Sequence, residues 1–337
     1  MNSKQYTIAT LGSHSSLQIL KGAKDEGFKT LLITLVSRVN FYKRFSFIDR
    51  IIDIPSFSKF PRVENELTNK NVILIPHGSF VAYLGSKRNK TMKIPYFGNK
   101  KVIDWEENRL KQNQWINLAK INTPTIFKRN DKIVYPVIVK SYGAAGGIGY
   151  FLACNRRQFA NKIKSFKPKK YIIQKYIIGV PFYIHYFYSP ITKKIEVLSM
   201  DRRYETNVNG LGRIPAEDQL NVGLNPSYVV IGNFPLVLRE SMLPEAYDMG
   251  ERVVKASQKL IDKRGLFGPF CLETIITPDQ KFYVIEISCR IVAGTNLYTD
   301  GSPYSFLNYD EPMSTGRRIA REIKTAIKQK KLDIILD

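Results

Sequence analysis

Residues 268–290 read GPFCLETIITPDQKFYVIEISCR. Two β-like apolar runs, 270–276 and 281–287, flank Thr277-Pro278-Asp279-Gln280, the turn chemistry of a hairpin with a loop of about four residues. Pairing Thr277 with Phe282 sets Glu273 opposite Glu286 on one face, with Cβ atoms about 5 Å apart. Like charges directly opposite destabilise a sheet unless a cation neutralises them. Two carboxylates that leave the rest of the shell to phosphates suit Mg2+. Glu273 and Glu286 are therefore candidate ligands for Mg2+ (or Mn2+). A one-residue slip of register would send one of them to solvent instead. Arg290, two pleats beyond Glu286, falls on the same face and is a candidate to reach a transferring phosphate.

Upstream, residues 137–153 read VIVKSYGAAGGIGYFLA. Gly143, Gly146, Gly147 and Gly149 crowd a loop between two strand-like runs. A P-loop and a dinucleotide fingerprint both open a helix, and this loop does not. A flexible flap is left, whose backbone N–H groups can meet phosphates through glycine freedom alone. The flap carries no Lys or Arg, so Lys140 beneath it and the lysines of 162–175 are expected to supply the charge. From Lys132 to Ile195 there are 12 Lys or Arg and no Asp or Glu, against a net charge of +23 for the chain. Such a stretch makes a focused positive field.

The chain opens as a βαβ unit. A strand-like run, 6–11, meets the turn Gly12-Ser13-His14-Ser15, then a helical stripe of Leu17, Leu20 and Ala23 ending near Gly27, then a buried-strand run, 31–36. A further strand, 71–76, runs into His77-Gly78-Ser79. In a doubly wound sheet both turns lie at the carboxyl edge, where anions bind. Residues 105–121 read as helical, and Asn122-Thr123-Pro124 marks a boundary. The tail, 313–330, reads as a basic amphipathic surface helix with Ile319, Ile323 and Ile327 on one side.

Composition excludes little but usefully. Hydrophobic residues at 44% and charged residues at 24% suit a globular protein. The longest apolar-looking stretch, 172–188, is broken by Lys175, Gly179, Pro181 and His185 and does not suit a bilayer. The N-terminus has no signal-peptide pattern. Three cysteines without metal-ligand spacing read as reduced thiols in a cytoplasmic protein. A charge of +23 leaves an anionic small substrate or nucleic acid as partner. No RNA-binding module is present in the sequence, so nucleic acid is disfavoured.

These features together resemble the ATP-grasp superfamily. More closely, TLGSHSSLQILKGAK, IPHGSFVAY, FYIHYFYSP, MDRRYETNVNGLGRIPAEDQL, NPSYVVIGNFP, GPFCLE and GSPYSFL resemble, in collinear order over nearly the whole chain, the archaeal formate-dependent FAICAR synthetases of purine biosynthesis. The resemblance implies an α/β fold: an ATP-grasp fold with an N-terminal Rossmann-like parallel-sheet domain over 1–121, a small flap-bearing subdomain over 122–190 and a large metal-binding subdomain over 191–337. It implies formylation of aminoimidazole carboxamide ribotide (AICAR) by ATP and formate through formyl phosphate, with Mg2+ or Mn2+, in a homo-oligomer, trimer or hexamer. His14, Ser15 and Ser79 would contact the ribotide and Asn233 its base or ribose. Glu205 and the hinge Gln174, Lys175, Tyr176 and Ile177 would contact ATP. Arg203 is a candidate for holding formate or its phosphate. The match departs at the ATP clamp, where Ala145, Ile148, Val292 and Ala293 stand at unusual positions. ATP binding is therefore expected to be retained but weaker. The alternative reading is a diverged relative that binds AICAR without turning it over.

Overall fold

The computed structural model describes residues 5–68, 70–128, 131–141, 149–167, 170–221 and 229–337. Strands Thr7–Leu11 (β1) and Lys29–Leu35 (β2) are nearly continuous apolar runs, as parallel strands covered on both faces must be. With Arg50–Ile54 (β3) and Val72–Leu74 (β4) they form a parallel sheet ordered β3-β2-β1-β4. The expected strand over 71–76 is thus shorter than its apolar run. Neighbouring parallel strands β1 and β4 end at the same edge, and their turns are stitched together there. Thr10 Oγ1 donates to the Ile75 carbonyl at 2.8 Å, and His77 Nε2 donates to the Leu11 carbonyl at 2.9 Å.

A second sheet is small and antiparallel. Ile126–Phe127 (β5), Val137–Ser141 (β6), Tyr150–Ala153 (β7) and Tyr171–Lys175 (β8) lie in the order β5-β8-β6-β7. The glycine loop joins β6 to β7 as expected, with Lys140 opposite Tyr150. Gly143, Gly146 and Gly147, with Ala145 and Ile148, lie outside the described residues. Gly149 has φ +80°, a backbone that favours glycine, and its carbonyl accepts from Ser141 N at 2.8 Å. Val137, Val139, Ala153 and Ile173 bury one face with Phe151 and Phe159. Alternation then turns Lys140 and Gln174 to the other face.

The third sheet is a five-stranded antiparallel one, ordered β11-β10-β9-β12-β13. Its strands are Val180–Ser189 (β9), Lys194–Glu205 (β10), Val230–Pro235 (β11), Gly268–Ile276 (β12) and Phe282–Ser288 (β13). One face is apolar: Phe182, Ile184, Tyr186, Phe270 and Leu272 pack with Trp115 and Val253 from helices Arg109–Leu118 and Leu243–Leu260. The period of two puts Tyr183, His185, Asp201, Arg203 and Glu273 on the opposite face.

The register of the last hairpin differs from the expected one near its turn. Ile276, not Thr277, faces Phe282, and Thr277 N donates to the Lys281 carbonyl at 3.0 Å. Continued without interruption, that register would turn Glu286 to the same apolar side as Phe282 and Val284. A β-bulge prevents it: Thr274 faces Val284 but Glu273 faces Glu286, with Ile285 as the extra residue. The glutamate pair expected from the sequence forms, by way of a bulge.

The C-terminal helix, Thr315–Gln329, buries Ile319, Ile323 and Ile327. It is more buried than the expected surface helix, for it lies against helix Ser16–Asp25 of the parallel unit. Gly22 and Gly316 permit that crossing, since a Cβ at Gly22 would sit 2.2 Å from Arg317 N. Beside it the buried Glu26 accepts from Arg317 Nε at 2.9 Å, Arg321 Nε at 2.8 Å and Lys324 Nζ at 3.2 Å. Cys154, Cys271 and Cys289 are free thiols. No helix among the described residues is long and apolar enough to cross a membrane.

Candidate functional site

Between the polar face of the five-stranded sheet and the two stitched turns lies a chamber of 320 Å³, lined from the turn side by His14 and Gly78. His14 has φ +42°, and its carbonyl accepts from Asn296 Nδ2 at 2.6 Å. Its ring stacks parallel to that of His77 at 6.0 Å. Burial, then the positive charge of Arg290 and Arg203, pushes His14 down to about 4, so it is neutral at pH 7. Burial likewise pushes His77 down to about 3, and its Nδ1 accepts from Ser79 N at 3.2 Å. Ser79 Oγ lies 3.1 Å from Ser13 Oγ, which is 2.8 Å from the Tyr83 hydroxyl. Ser15 is buried and does not cap the helix that follows; its Oγ is 3.4 Å from His14 Nδ1.

The opposite wall carries the charges. Arg203 pairs with Glu273 and lies over the Tyr183 ring, 4.2 Å from its centroid. Asn233, across β10–β11 from Arg203, donates through Nδ2 to Asp201 Oδ2 at 2.5 Å. Arg290 is half-buried: its Nη1 lies 3.1 Å from Glu106 Oε1, and its buried Nε has no hydrogen-bond partner among the described residues. Glu286 makes no ion pair among the described residues. Burial, then the charges of Glu273 and Glu106, pushes its carboxyl up to about 7. No cluster of three or more His, Cys, Asp or Glu among the described residues is arranged to hold a metal ion. The donor set fits an ion that completes its shell with phosphate oxygens, not one caged by protein alone.

A larger cleft, 820 Å³, separates the small sheet from the edge of the large one. Lys140, Gln174, Arg109, Lys111 and Glu286 line it. Lys140 Nζ donates to Gln174 Oε1 at 3.2 Å, and burial, then the charge of Arg109, brings the amine down to about 8. Two of the lysines expected to supply the rest of the charge are otherwise engaged. Lys162 Nζ donates to the Leu152 carbonyl at 2.8 Å and Lys175 Nζ to the Tyr135 carbonyl at 2.7 Å. Beside Lys140, the cations lining the cleft among the described residues are Arg109 and Lys111. Tyr176 N donates to the Pro136 carbonyl at 3.0 Å; Lys175, Tyr176 and Ile177 do not line the cleft. Glu205, whose N–H donates to Asn209 Oδ1 at 2.6 Å, lines neither cavity. Glu286 lines both.

Residues 8–127 match the family described as protein of unknown function DUF1246, and residues 154–337 match the domain of unknown function DUF1297. The 5-formaminoimidazole-4-carboxamide-1-(beta)-D-ribofuranosyl 5'-monophosphate synthetase of Pyrococcus abyssi is 51% identical over 98% of this chain and 98% of its own. That of Saccharolobus solfataricus is 47% identical over 98% and 99%. The chain belongs to the family of these synthetases. Among solved structures, the IMP biosynthesis protein PurP from Thermococcus kodakaraensis matches with TM-score 0.78 at 32% identity, over 98% of this chain and 100% of that one. The N5-carboxyaminoimidazole ribonucleotide synthetase PurK, at 14% identity and TM-score 0.66 over 95% of this chain and 77% of that one, shares the fold alone. The fold is ATP-grasp.

Sequence reasoning missed several residues of this synthetase site. Glu106, Arg109 and Lys111 come from helical segments whose charges look like ordinary solvated faces. His185 and Asp201 sit in strands that read as core. Only the alternation of β9 and β10 signals that those two share a face with Arg203.

Proposed function

We propose that this protein formylates the 5-amino group of AICAR, using ATP and formate and releasing ADP and phosphate. It is an ATP-dependent carbon–nitrogen ligase of purine biosynthesis. The observation that carries the reading is Glu286, one carboxylate facing both a nucleotide-sized cleft and a smaller polar chamber. Group transfer from ATP to a small acid needs such a shared wall.

In this reading Lys140, Gln174, Arg109 and Lys111 hold ATP under the glycine flap. Glu273 and Glu286 hold Mg2+ or Mn2+, which when bound neutralises phosphate charge. His14, Ser15, Ser79 and Asn233 hold the ribotide. Formate attacks the γ-phosphate, giving formyl phosphate and ADP; the amine then attacks the formyl carbon and phosphate leaves. Arg290 and Arg203 meet the negative charge of both steps, and Arg290 Nε is a donor still to be used. The neutral His14 leaves the amine unprotonated by its neighbour. Exclusion of water protects the acyl phosphate.

We further propose that the units are 1–121, a small flap unit and a large unit. Because β9 belongs to the five-stranded sheet, the limit between the last two falls between Lys175 and Val180, not at 190. Exposed Val230, Ile231 and Phe234 on the edge strand β11 support a homo-oligomer, which the family resemblance puts at a trimer or hexamer in the cytoplasm.

ADP release by the purified protein with ATP, Mg2+ and formate, with and without AICAR, tests the reading. Release that needs both formate and AICAR is expected. Silence in a protein that still binds AICAR would move it to a binding protein.

A further inference from the structure

Asp201 on β10 is buried at the wall of the 320 Å³ chamber, and both its oxygens are taken by fixed donors. His185 Nε2 donates to Oδ1 at 2.6 Å, and Asn233 Nδ2 donates to Oδ2 at 2.5 Å. Gly294 closes over the same carboxylate, for a Cβ there would lie 2.2 Å from Oδ1. The His185 ring is 2% exposed and its Nδ1 has no partner among the described residues, where its one side-chain hydrogen bond holds Asp201. An ionised carboxylate only accepts, so Asn233 must turn its NH2 end to Asp201. The Asn233 carbonyl Oδ1 is the end left for the chamber, and it has no partner among the described residues. An amide on an edge strand would otherwise be free to turn over.

We propose that Asp201 is a positioning residue that makes the chamber read N–H donors. Held by His185, it locks Asn233 so that the substrate must offer a carboxamide N–H at that point. The inference rests on reading the chamber as the ribotide site. A 4-carboxamide ribotide meets the requirement. Its 4-carboxylate counterpart keeps the 5-amino group but offers only acceptors at position 4, where it faces an acceptor. Sites built around a buried hydrogen-bonding group reject the unmatched analogue by roughly 10⁴–10⁵-fold, far more than shape alone achieves.

The experiment is kcat/KM for AICAR and for its 4-carboxylate analogue, with ATP and formate, in wild type, Asp201→Asn and Asn233→Ala. In Asp201→Asn the new amide gives its oxygen to His185 and its NH2 to Asn233, which then turns over and shows the chamber its own NH2. Preference for the carboxamide is expected to fall by at least about 100-fold, through KM for AICAR more than through kcat. Asn233→Ala removes the acceptor, and with it one donor to Asp201, but keeps the carboxylate and its His185 bond, so preference falls at least about tenfold without reversing. That variant decides the matter if Asp201→Asn melts early. An unchanged preference in the folded variants overturns the inference. So does a wild type that turns over AICAR with no preference against the carboxylate, and the ligase reading then stands. A wild type that turns over neither ribotide overturns both.

Discussion

Glu286 lies in the wall between two cavities with no ion pair among the described residues, and burial with Glu273 holds its carboxyl near 7 instead of its ordinary 4.5. From pH 4.5 to 7 the folded protein keeps a proton that the unfolded chain has released. Stability therefore falls as pH rises through that window and stays lowered above it. Glu286→Gln removes this cost. Without metal, the variant is expected to melt higher than wild type at pH 8 and level with it at pH 4. Mg2+ with ATP should raise the wild-type melting temperature at pH 8 and leave the variant's unmoved, while turnover is lost and ribotide binding persists. Equal melting at pH 8 in thermal scans would remove the electrostatic cause. Asp201 and Asn233 show the same logic in neutral form: the direction of one amide follows from which of its neighbours can only accept.

At the scale of elements, two contacts do what propensity does not. The bulge at Ile285 turns β13 so that Phe282, Val284 and Ile287 all reach the core while Glu286 does not. The other contact is the crossing of helices Ser16–Asp25 and Thr315–Gln329 over Gly22 and Gly316, where backbone meets backbone. Gly22→Ala must force the helices apart and is expected to cost about 1–3 kcal/mol in urea denaturation. Gly210→Ala is the control, since a Cβ there meets nothing within 4 Å. It should leave stability level or slightly raised, because alanine favours a helix. Equal effects of the two substitutions would show that the crossing tolerates a side chain.

Across the whole molecule, Glu26 near one end of the chain faces Arg317, Arg321 and Lys324 near the other. Burial raises its pKa, but Arg321 and Arg317 override that and hold it at about 2. The stability this supplies is present above the unfolded value of 4.5 and is lost as pH falls toward 2. Glu26→Gln removes the buried anion these half-buried cations share, while Arg317 and Arg321 keep Glu311, and a loss of about 1.5–3 kcal/mol at pH 7 is expected. Its stability should also lose the steep fall between pH 4.5 and 2 that wild type shows in acid titrations followed by circular dichroism. The net charge of +23 works at this scale too, but not by the route its sequence distribution suggests. The first part of the acid-free stretch, up to Lys175, folds into the small sheet and its helix, where Lys162 and Lys175 bond their own unit's carbonyls. Arg109 and Lys111 reach the cleft from a helix before that stretch begins.

The sequence by itself determined the local chemistry: the βαβ opening, the strand–glycine loop–strand, the hairpin with two glutamates and the two His-bearing turns. Each follows from short-range spacing of apolar, turn and charged residues, which the backbone periods of 2 and 3.6 turn into faces. Only the tertiary structure decided which faces meet. That Glu106 stands against Arg290, that Asp201 aims Asn233, that one glutamate serves two cavities and that the last helix packs on the first all depend on segments far apart in the chain. Long-range contacts of this kind leave no periodic trace in sequence, because the residues that form them are ordinary charged or polar residues until packing removes the water around them.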